Sequence, residues 1–123
     1  MIKLDIREMS KRKGLIYDSQ KYFSRFLKYE FKEDYSFDTY CNFKYFDKVL
    51  DKYSVIIFVI YSEEELLDFI KVYRKEIPLI ICSFNNKILV ELGKIDEVLL
   101  LDTSKLRAEI VTELKTYFNC ISH

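Results

Sequence analysis

The sequence of 123 residues is poor in residues that break regular structure and in residues that carry catalysis. It contains 2 glycines, 1 proline, 1 histidine and no tryptophan. So few turn formers indicate regular elements joined by short loops. Two glycines cannot build a glycine-rich phosphate loop, and none of the known loop motifs occurs. The single histidine, His123, stands far from every predicted strand end, which argues against a hydrolase triad.

The chain also lacks an excess of charge and a long apolar run. Its 20 basic and 20 acidic side chains give a formal net charge of zero. That balance provides no long-range attraction for nucleic acid or for an anionic membrane. No apolar run reaches the length that a membrane helix needs, and the N-terminal residues lack the apolar core of a signal peptide. We expect a cytoplasmic protein that binds neither a membrane nor, directly, nucleic acid.

The three cysteines, Cys41, Cys82 and Cys120, are scattered through the sequence and show no CxxC spacing. This distribution is typical of reduced thiols in a cytosolic protein and not of a disulfide framework or a metal site. We therefore expect no structural metal and no cofactor.

What the sequence does contain is a strong core signal. Half of the residues are hydrophobic, and residues 55–61 form a continuous run of apolar and aromatic side chains. Such a run is too short to cross a membrane but suits a strand that is buried on both faces. Strands of this kind occupy the centre of parallel sheets that carry helices on both sides.

Further strands and helices alternate along the rest of the chain. The predicted strands are 14–17, 36–41, 55–60, 79–82 and 98–101, with a helix after each. This alternation predicts a single doubly wound α/β domain with a five-stranded parallel sheet in the order 2-1-3-4-5. Strand 36–41 alternates polar with apolar residues, which favours an edge position. Residues 1–13 are interpreted as an N-terminal arm and 14–123 as the domain.

Helix ends and inner faces follow from capping residues and spacing. Asp18 or Ser19 is expected to cap the first helix, and Ser62 with Glu65 forms a capping box. Gly93 is expected to end a short helix in the left-handed conformation. The core-facing residues predicted for the helix after Ser62 are Leu66, Leu67, Ile70 and Tyr73; those of the last helix are Leu106, Ile110, Leu114, Tyr117 and Phe118.

Polar residues follow the predicted strands at the edge where this fold gathers ligands. They are Asp18, Ser19, Asn42, Tyr61, Ser62, Ser83, Asp102 and Thr103. Asp18 has two open interpretations, as a helix cap and as a functional carboxylate. Ser83 is either a plain turn residue or part of a site, and Tyr61 either contacts a ligand or covers the sheet edge.

Three segments resemble the receiver domain of bacterial two-component response regulators. Residues 15–19 resemble the first strand of that family and its acidic pair, with Asp18 retained. Residues 77–84 are similar to the family's PVIMLTA strand, which places Ser83 at the switch Ser/Thr. Residues 93–97 resemble its GADDY segment. The resemblance covers about residues 14–118 and implies a flavodoxin-like fold with a role in signal transduction.

The departures from the receiver pattern concern its chemistry. The phospho-acceptor aspartate would fall within Val59–Tyr61, none of which is acidic, and Ser19 replaces the second acid. Leu100 occupies the place of the family's lysine, and Leu101 the place of its cis-proline. Magnesium prefers oxygen ligands, and two of three carboxylates would be missing. The resemblance therefore implies a pseudo-receiver that accepts no phosphoryl group and binds magnesium weakly.

The leading hypothesis is a non-catalytic, phosphorylation-independent signalling module that acts through protein–protein contacts. In the family, the fourth helix, fifth strand and fifth helix often mediate pairing. The corresponding charges here, suited to a homodimer or a protein partner, are Lys87, Glu91, Lys94, Glu97, Arg107 and Lys115. An ordinary solvated face is the other reading of these charges. The alternative function is a small-ligand-binding or enzymatic flavodoxin-like domain that uses the strand-end rim around Asp18, Ser62 and Ser83.

Overall fold

The computed structural model describes residues 11–41, 52–72, 77–95 and 98–121. The elements in chain order are β1 (Arg12–Tyr17), α1 (Tyr22–Glu30), β2 (Tyr35–Tyr40), β3 (Val55–Val59), α2 (Glu63–Val72), β4 (Leu79–Ser83), α3 (Asn86–Leu92), β5 (Val98–Asp102) and α4 (Arg107–Ile121). Most of the predicted N-terminal arm, and nearly all of the helix predicted after Asn42, lie outside the described residues.

The strands form one parallel sheet in the order β2-β1-β3-β4-β5, which confirms the predicted fold class and topology. β3 lies at the centre and all five of its residues are buried. Within it, Ile57 pairs with Ile16 of β1 on one side and with Ile80 of β4 on the other. β2 lies at an edge, as its alternating pattern predicts, and β5 forms the other edge.

β1 begins at Arg12, two residues before the predicted start of the domain. Arg12 and Lys13 are exposed, yet their backbones pair with Tyr35 and Ser36 of β2. Strand pairing uses backbone groups, so it extends past the last apolar side chain. Gly14 follows, and a Cβ there would collide with the Phe37 ring, which lies against this part of β1.

Helices cover both faces of the sheet. On one face α1 and α4 pack against the strands through Leu27, Phe31, Ile110, Leu114 and Phe118. On the other face α2 and α3 pack through Phe69, Ile88 and Leu92. Each face receives every second residue of a strand, so the central strands need apolar residues at every position.

The predicted inner faces of two helices are partly wrong, and Tyr73 of the first lies outside the described residues. Leu67 and Ile70 are 61% and 57% exposed, whereas Phe69 is fully buried. α2 begins at Glu63 and turns Leu66 and Phe69 inward, so the residues one position along point away from the core. Leu106 is 72% exposed because it precedes the first residue of α4.

The end of α3 also differs from the prediction. Gly93 has φ −61° and ψ −14°, which is right-handed and not left-handed. Its N–H donates to the Leu89 carbonyl at 2.9 Å, so the chain leaves the helix through one further helical turn. The prediction of a left-handed Gly93 is therefore wrong, and the end of α3 does not require a positive φ.

The different burial of the isoleucines predicts different losses of stability when each is replaced by aspartate. Ile57→Asp and Ile80→Asp are each expected to lose about 4 kcal/mol or more of unfolding free energy, because both side chains are fully buried and the new charge would have no partner. Ile70→Asp is the matched control and should melt near the wild-type temperature. Thermal melts followed by circular dichroism check this; cooperative wild-type melting of the first two variants would contradict the burial assignment.

Candidate functional site

Asp18 is the best-connected residue at the carboxyl edge of the sheet. It follows β1 directly and is only 1% exposed. Its Oδ1 accepts hydrogen bonds from the Gln20 N–H at 3.1 Å and the Tyr61 O–H at 2.6 Å. Its Oδ2 accepts from the Ser24 N–H at 2.8 Å. Three donors thus compensate the cost of burying this carboxylate.

These contacts explain how α1 begins. The N-cap position is Lys21, at φ 63° and without a side-chain cap. The prediction that Asp18 or Ser19 is the N-cap residue is therefore wrong. Asp18 instead reaches the amide of Ser24 in the first turn from three residues before Lys21. Lys21 is the one non-glycine residue with positive φ in the described chain, a conformation that costs of order 1–2 kcal/mol.

Tyr61 lies two residues after the end of β3, the strand next to β1, and covers the site from that side. Its hydroxyl donates to Asp18, and its ring meets the Phe84 ring edge-on at 5.9 Å between centroids. Burial, followed by the bond to Asp18 and the negative charge there, raises the pKa of Tyr61. The phenol therefore keeps its proton and acts as a hydrogen-bond donor throughout the neutral range.

Ser19 and Glu65 form a second link across the same edge. The Ser19 hydroxyl donates to Glu65 Oε1 at 3.1 Å. Burial raises the pKa of Glu65, and the bond from Ser19 opposes that rise. The Glu65 N–H donates to Ser62 Oγ over a long distance of 3.5 Å, which is one of the two hydrogen bonds of the predicted capping box. The Glu65 side chain bonds to Ser19, which joins α2 to the segment after β1.

Ser83 and Asp102 organise the turns that follow β4 and β5. Ser83 is fully buried, its Oγ accepts from the Asn85 N–H at 3.1 Å, and its carbonyl accepts from the Thr103 N–H at 3.0 Å. Asp102 Oδ1 accepts from the N–H and O–H of Ser104 at 2.9 and 2.6 Å, which lowers the pKa of Asp102. Both residues thus stabilise turns. Asn42, also predicted for this edge, lies outside the described residues.

Two shallow clefts flank this edge. One, of about 350 Å³, is lined by Asp18, Lys21, Ser24, Arg25, Lys28, Thr39, Tyr40 and Cys41. The other, of about 240 Å³, is lined by Tyr22, Phe23, Phe26, Val59, Tyr61, Thr103 and Arg107. Across the described ranges, no group of three or more His, Cys, Asp or Glu side chains is placed to hold a metal ion.

Sequence reasoning missed the α1 cations of the first cleft. Lys21, Arg25 and Lys28 are four and then three residues apart, the spacing that puts side chains on one face of a helix. The spacing itself was the signal that could have identified them.

The residues predicted to form an interaction face divide between two places. Lys87, Glu91 and Lys94 belong to α3 and the turn after it, where Lys94 Nζ lies 3.3 Å from Glu91 Oε1. Arg107 lies over the Phe26 ring of α1, at 4.9 Å from its centroid. Lys115 lines a separate cleft with Arg12 and Tyr35. Arg107 and Lys115 therefore lie toward α1 and the β1–β2 side, and Glu97 is outside the described residues.

No protein-family model matches the chain, and no curated protein sequence matches it. Among the described helices, none has both the length and the apolar composition needed to cross a membrane. The site is accordingly interpreted from its own geometry.

The Tyr61–Asp18 bond predicts a stability difference between two tyrosine variants. Tyr61→Phe should lose about 1–3 kcal/mol at neutral pH, because it removes one of three donors to a buried carboxylate. Tyr22→Phe is the control, since Tyr22 is 82% exposed and the same atom is deleted. Urea unfolding of both proteins measures the difference, and equal midpoints would show that the bond does not stabilise the fold.

The raised pKa of Tyr61 also predicts a difference in alkaline solution. Tyr61 ionises at its ordinary value of about 10 in the unfolded chain but at a higher pH in the fold, so the unfolded state gains from ionisation first. Its contribution is constant below pH 10 and is lost as pH rises above it. Urea midpoints from pH 8 to 11 should therefore fall more steeply for wild type and Tyr22→Phe than for Tyr61→Phe. Parallel curves for all three would refute the assignment.

Proposed function

We propose that this protein is a non-catalytic, receiver-like signalling module that works without phosphorylation and through contacts with protein. The observation that carries the proposal is the state of Asp18, whose two carboxylate oxygens are engaged by Gln20, Ser24 and Tyr61. A carboxylate that serves a metal or a phosphoryl group must be open to it. Here the carboxylate holds the fold together.

The end of β3 supports the same proposal. Val59 and Ile60, at the place of the receiver family's acceptor aspartate, are 2% and 0% exposed, and Tyr61 points its hydroxyl at Asp18. An acyl phosphate needs a carboxylate as acceptor, and neither these residues nor Tyr61 can supply one. β5 ends in the buried Leu101 and then Asp102, so the strand end beside Ser83 carries no cation.

The proposed contacts are with a protein partner or a second copy, through α3, β5 and α4. β5 is an edge strand, and edges invite pairing unless they are covered. Two large apolar side chains on or next to these elements are exposed: Val90 on α3 and Leu106 just before α4. Such residues favour an interaction surface. The cytoplasmic location predicted from the sequence belongs to this proposal.

One observation favours the alternative function, a small-ligand-binding domain. The cleft beside Asp18 measures about 350 Å³, within the size range of ligand pockets, and three cations line it. An anionic small molecule would suit it. The aromatic cleft beside Tyr61, at about 240 Å³, is smaller than ordinary ligand sites. Both clefts are open rather than enclosed, so we place this function second.

The proposal predicts no reaction with small phosphodonors. Incubation with acetyl phosphate and magnesium should leave the intact mass unchanged, because Asp18 is occupied and β3 ends without a carboxylate. Mass spectrometry of wild type and Asp18→Asn tests this, with an active receiver domain as the positive control. One added phosphoryl group that Asp18→Asn abolishes would contradict the proposed function.

A further inference from the structure

The outer face of α1 is both basic and aromatic. Glu30 is exposed as well; the basic and aromatic exposed residues are Tyr22, Arg25, Lys28, Tyr29 and, just past the helix, Lys32, and we call this set the α1 face. Tyr22 and Tyr29 are 82% and 69% exposed, and Lys32 Nζ lies 4.8 Å from the centre of the Tyr29 ring. From Lys21 to Lys32 the sequence holds four cations and one acid. Exposed tyrosine beside arginine is typical of contact surfaces.

A groove of opposite character lies between α2 and α3. It measures about 390 Å³, and its lining residues, which define the α2–α3 groove, are Glu63, Glu64, Leu66, Leu67, Lys87, Ile88 and Glu91. The three leucine and isoleucine side chains make it apolar, and three of its four charges are negative. From Ser62 to Asp68 the sequence has four acids and no cation.

These two surfaces lie on opposite sides of the sheet. α1 packs on one face with α4, whereas α2 and α3 pack on the other. One molecule therefore cannot bring its own α1 face to its own groove. A two-fold pair cannot form the contact twice either, because the surfaces point away from each other. Any contact between them is heterologous and leaves one free surface at each end.

We propose that the α1 face of one copy docks into the α2–α3 groove of a second copy, head to tail. The charges are complementary, and a helix laid in an apolar groove is a common recognition mode. Tyr22 and Tyr29 lie about 10.5 Å apart along the helix, two turns on one stripe, so both rings can reach one groove. This inference rests on the proposed function for contact with protein; it names a second copy as the partner and places the contact on the α1 face and the α2–α3 groove instead of on α3, β5 and α4.

The geometry also fixes what each part of the contact contributes. Exposed ion pairs add little affinity, so the basic and acidic residues orient the two copies, and burial of the tyrosine and leucine side chains stabilises the contact. The association is therefore weak, and its orientation-setting part is screened by salt. The zero net charge of the chain removes long-range repulsion between copies.

The test uses two charge-reversal variants and their mixture. Arg25→Glu with Lys28→Glu blocks the α1 face, and Glu63→Lys with Glu64→Lys blocks the groove. In sedimentation velocity up to about 1 mM, the wild type should grow past the dimer with concentration at low salt. Each variant alone should remain monomeric, its dissociation constant raised at least about tenfold by like charges at the contact. An equimolar mixture should again grow past the dimer, because the two native surfaces pair with each other and the two reversed surfaces, an acidic helix and a basic groove, are also complementary.

Controls keep the outcome decisive. Lys105→Glu with Lys115→Glu makes the same charge change at residues that belong to neither surface and should assemble like the wild type. Circular dichroism checks folding, and Leu67→Gln replaces the groove variant if reversal at the start of α2 unfolds it. A monomeric mixture, a wild type that stays monomeric, or assembly lost only in the Lys105–Lys115 variant each overturns the inference. The last result would instead support a contact through α3, β5 and α4. The proposed function is tested separately, by whether acetyl phosphate adds a phosphoryl group to the protein.

Discussion

The burial of β3 on both faces is the constraint on which the rest of the structure depends. Five consecutive residues, Val55–Val59, have almost no contact with water, so helices must cover the sheet on both sides. Helical crossovers keep neighbouring strands parallel, and parallel strands end at the same edge. The sequence of one strand thereby determines where Asp18, Tyr61, Ser83 and Asp102 come together.

At that edge Asp18 is satisfied by its neighbours, whereas the buried Oε2 atom of Glu65 has no hydrogen-bond partner among the described residues. Tyr61 donates to Asp18 at this edge, and elsewhere on the sheet Tyr53 donates to Asp38 and Tyr117 to the Leu100 carbonyl, each at 2.6 Å. A ring fills apolar space while its hydroxyl reaches an acceptor, so tyrosine can both extend the core and neutralise the cost of a buried carboxylate. An edge built in this way is stable without a metal or a ligand, which is the physical basis of the proposed loss of chemistry.

The parts that could be predicted from sequence are those set by local pattern. The apolar run at β3 and the polar alternation of β2 gave their positions in the sheet, because burial on two faces or on one dictates composition directly. The inner face of α2 was misassigned, since Leu66, Leu67, Phe69 and Ile70 offer two overlapping stripes and only packing selects one. The Tyr61–Asp18 bond joins residues 43 positions apart, and no spacing rule pairs them.

Net charge proved the least informative property, because it averages over helices that face in opposite directions. The cations of α1 and the acids of α2 cancel in the sum, yet the sheet holds them on opposite sides of the molecule. A protein with such a distribution carries a charge asymmetry across its thickness without a net charge to keep copies apart. Large side chains are exposed beside these charges, Tyr22 and Leu67 among them. The charges can therefore orient a contact that buries these side chains. The same doubly wound fold that closes the strand-end site thus leaves its helix faces as the surfaces on which the protein can act.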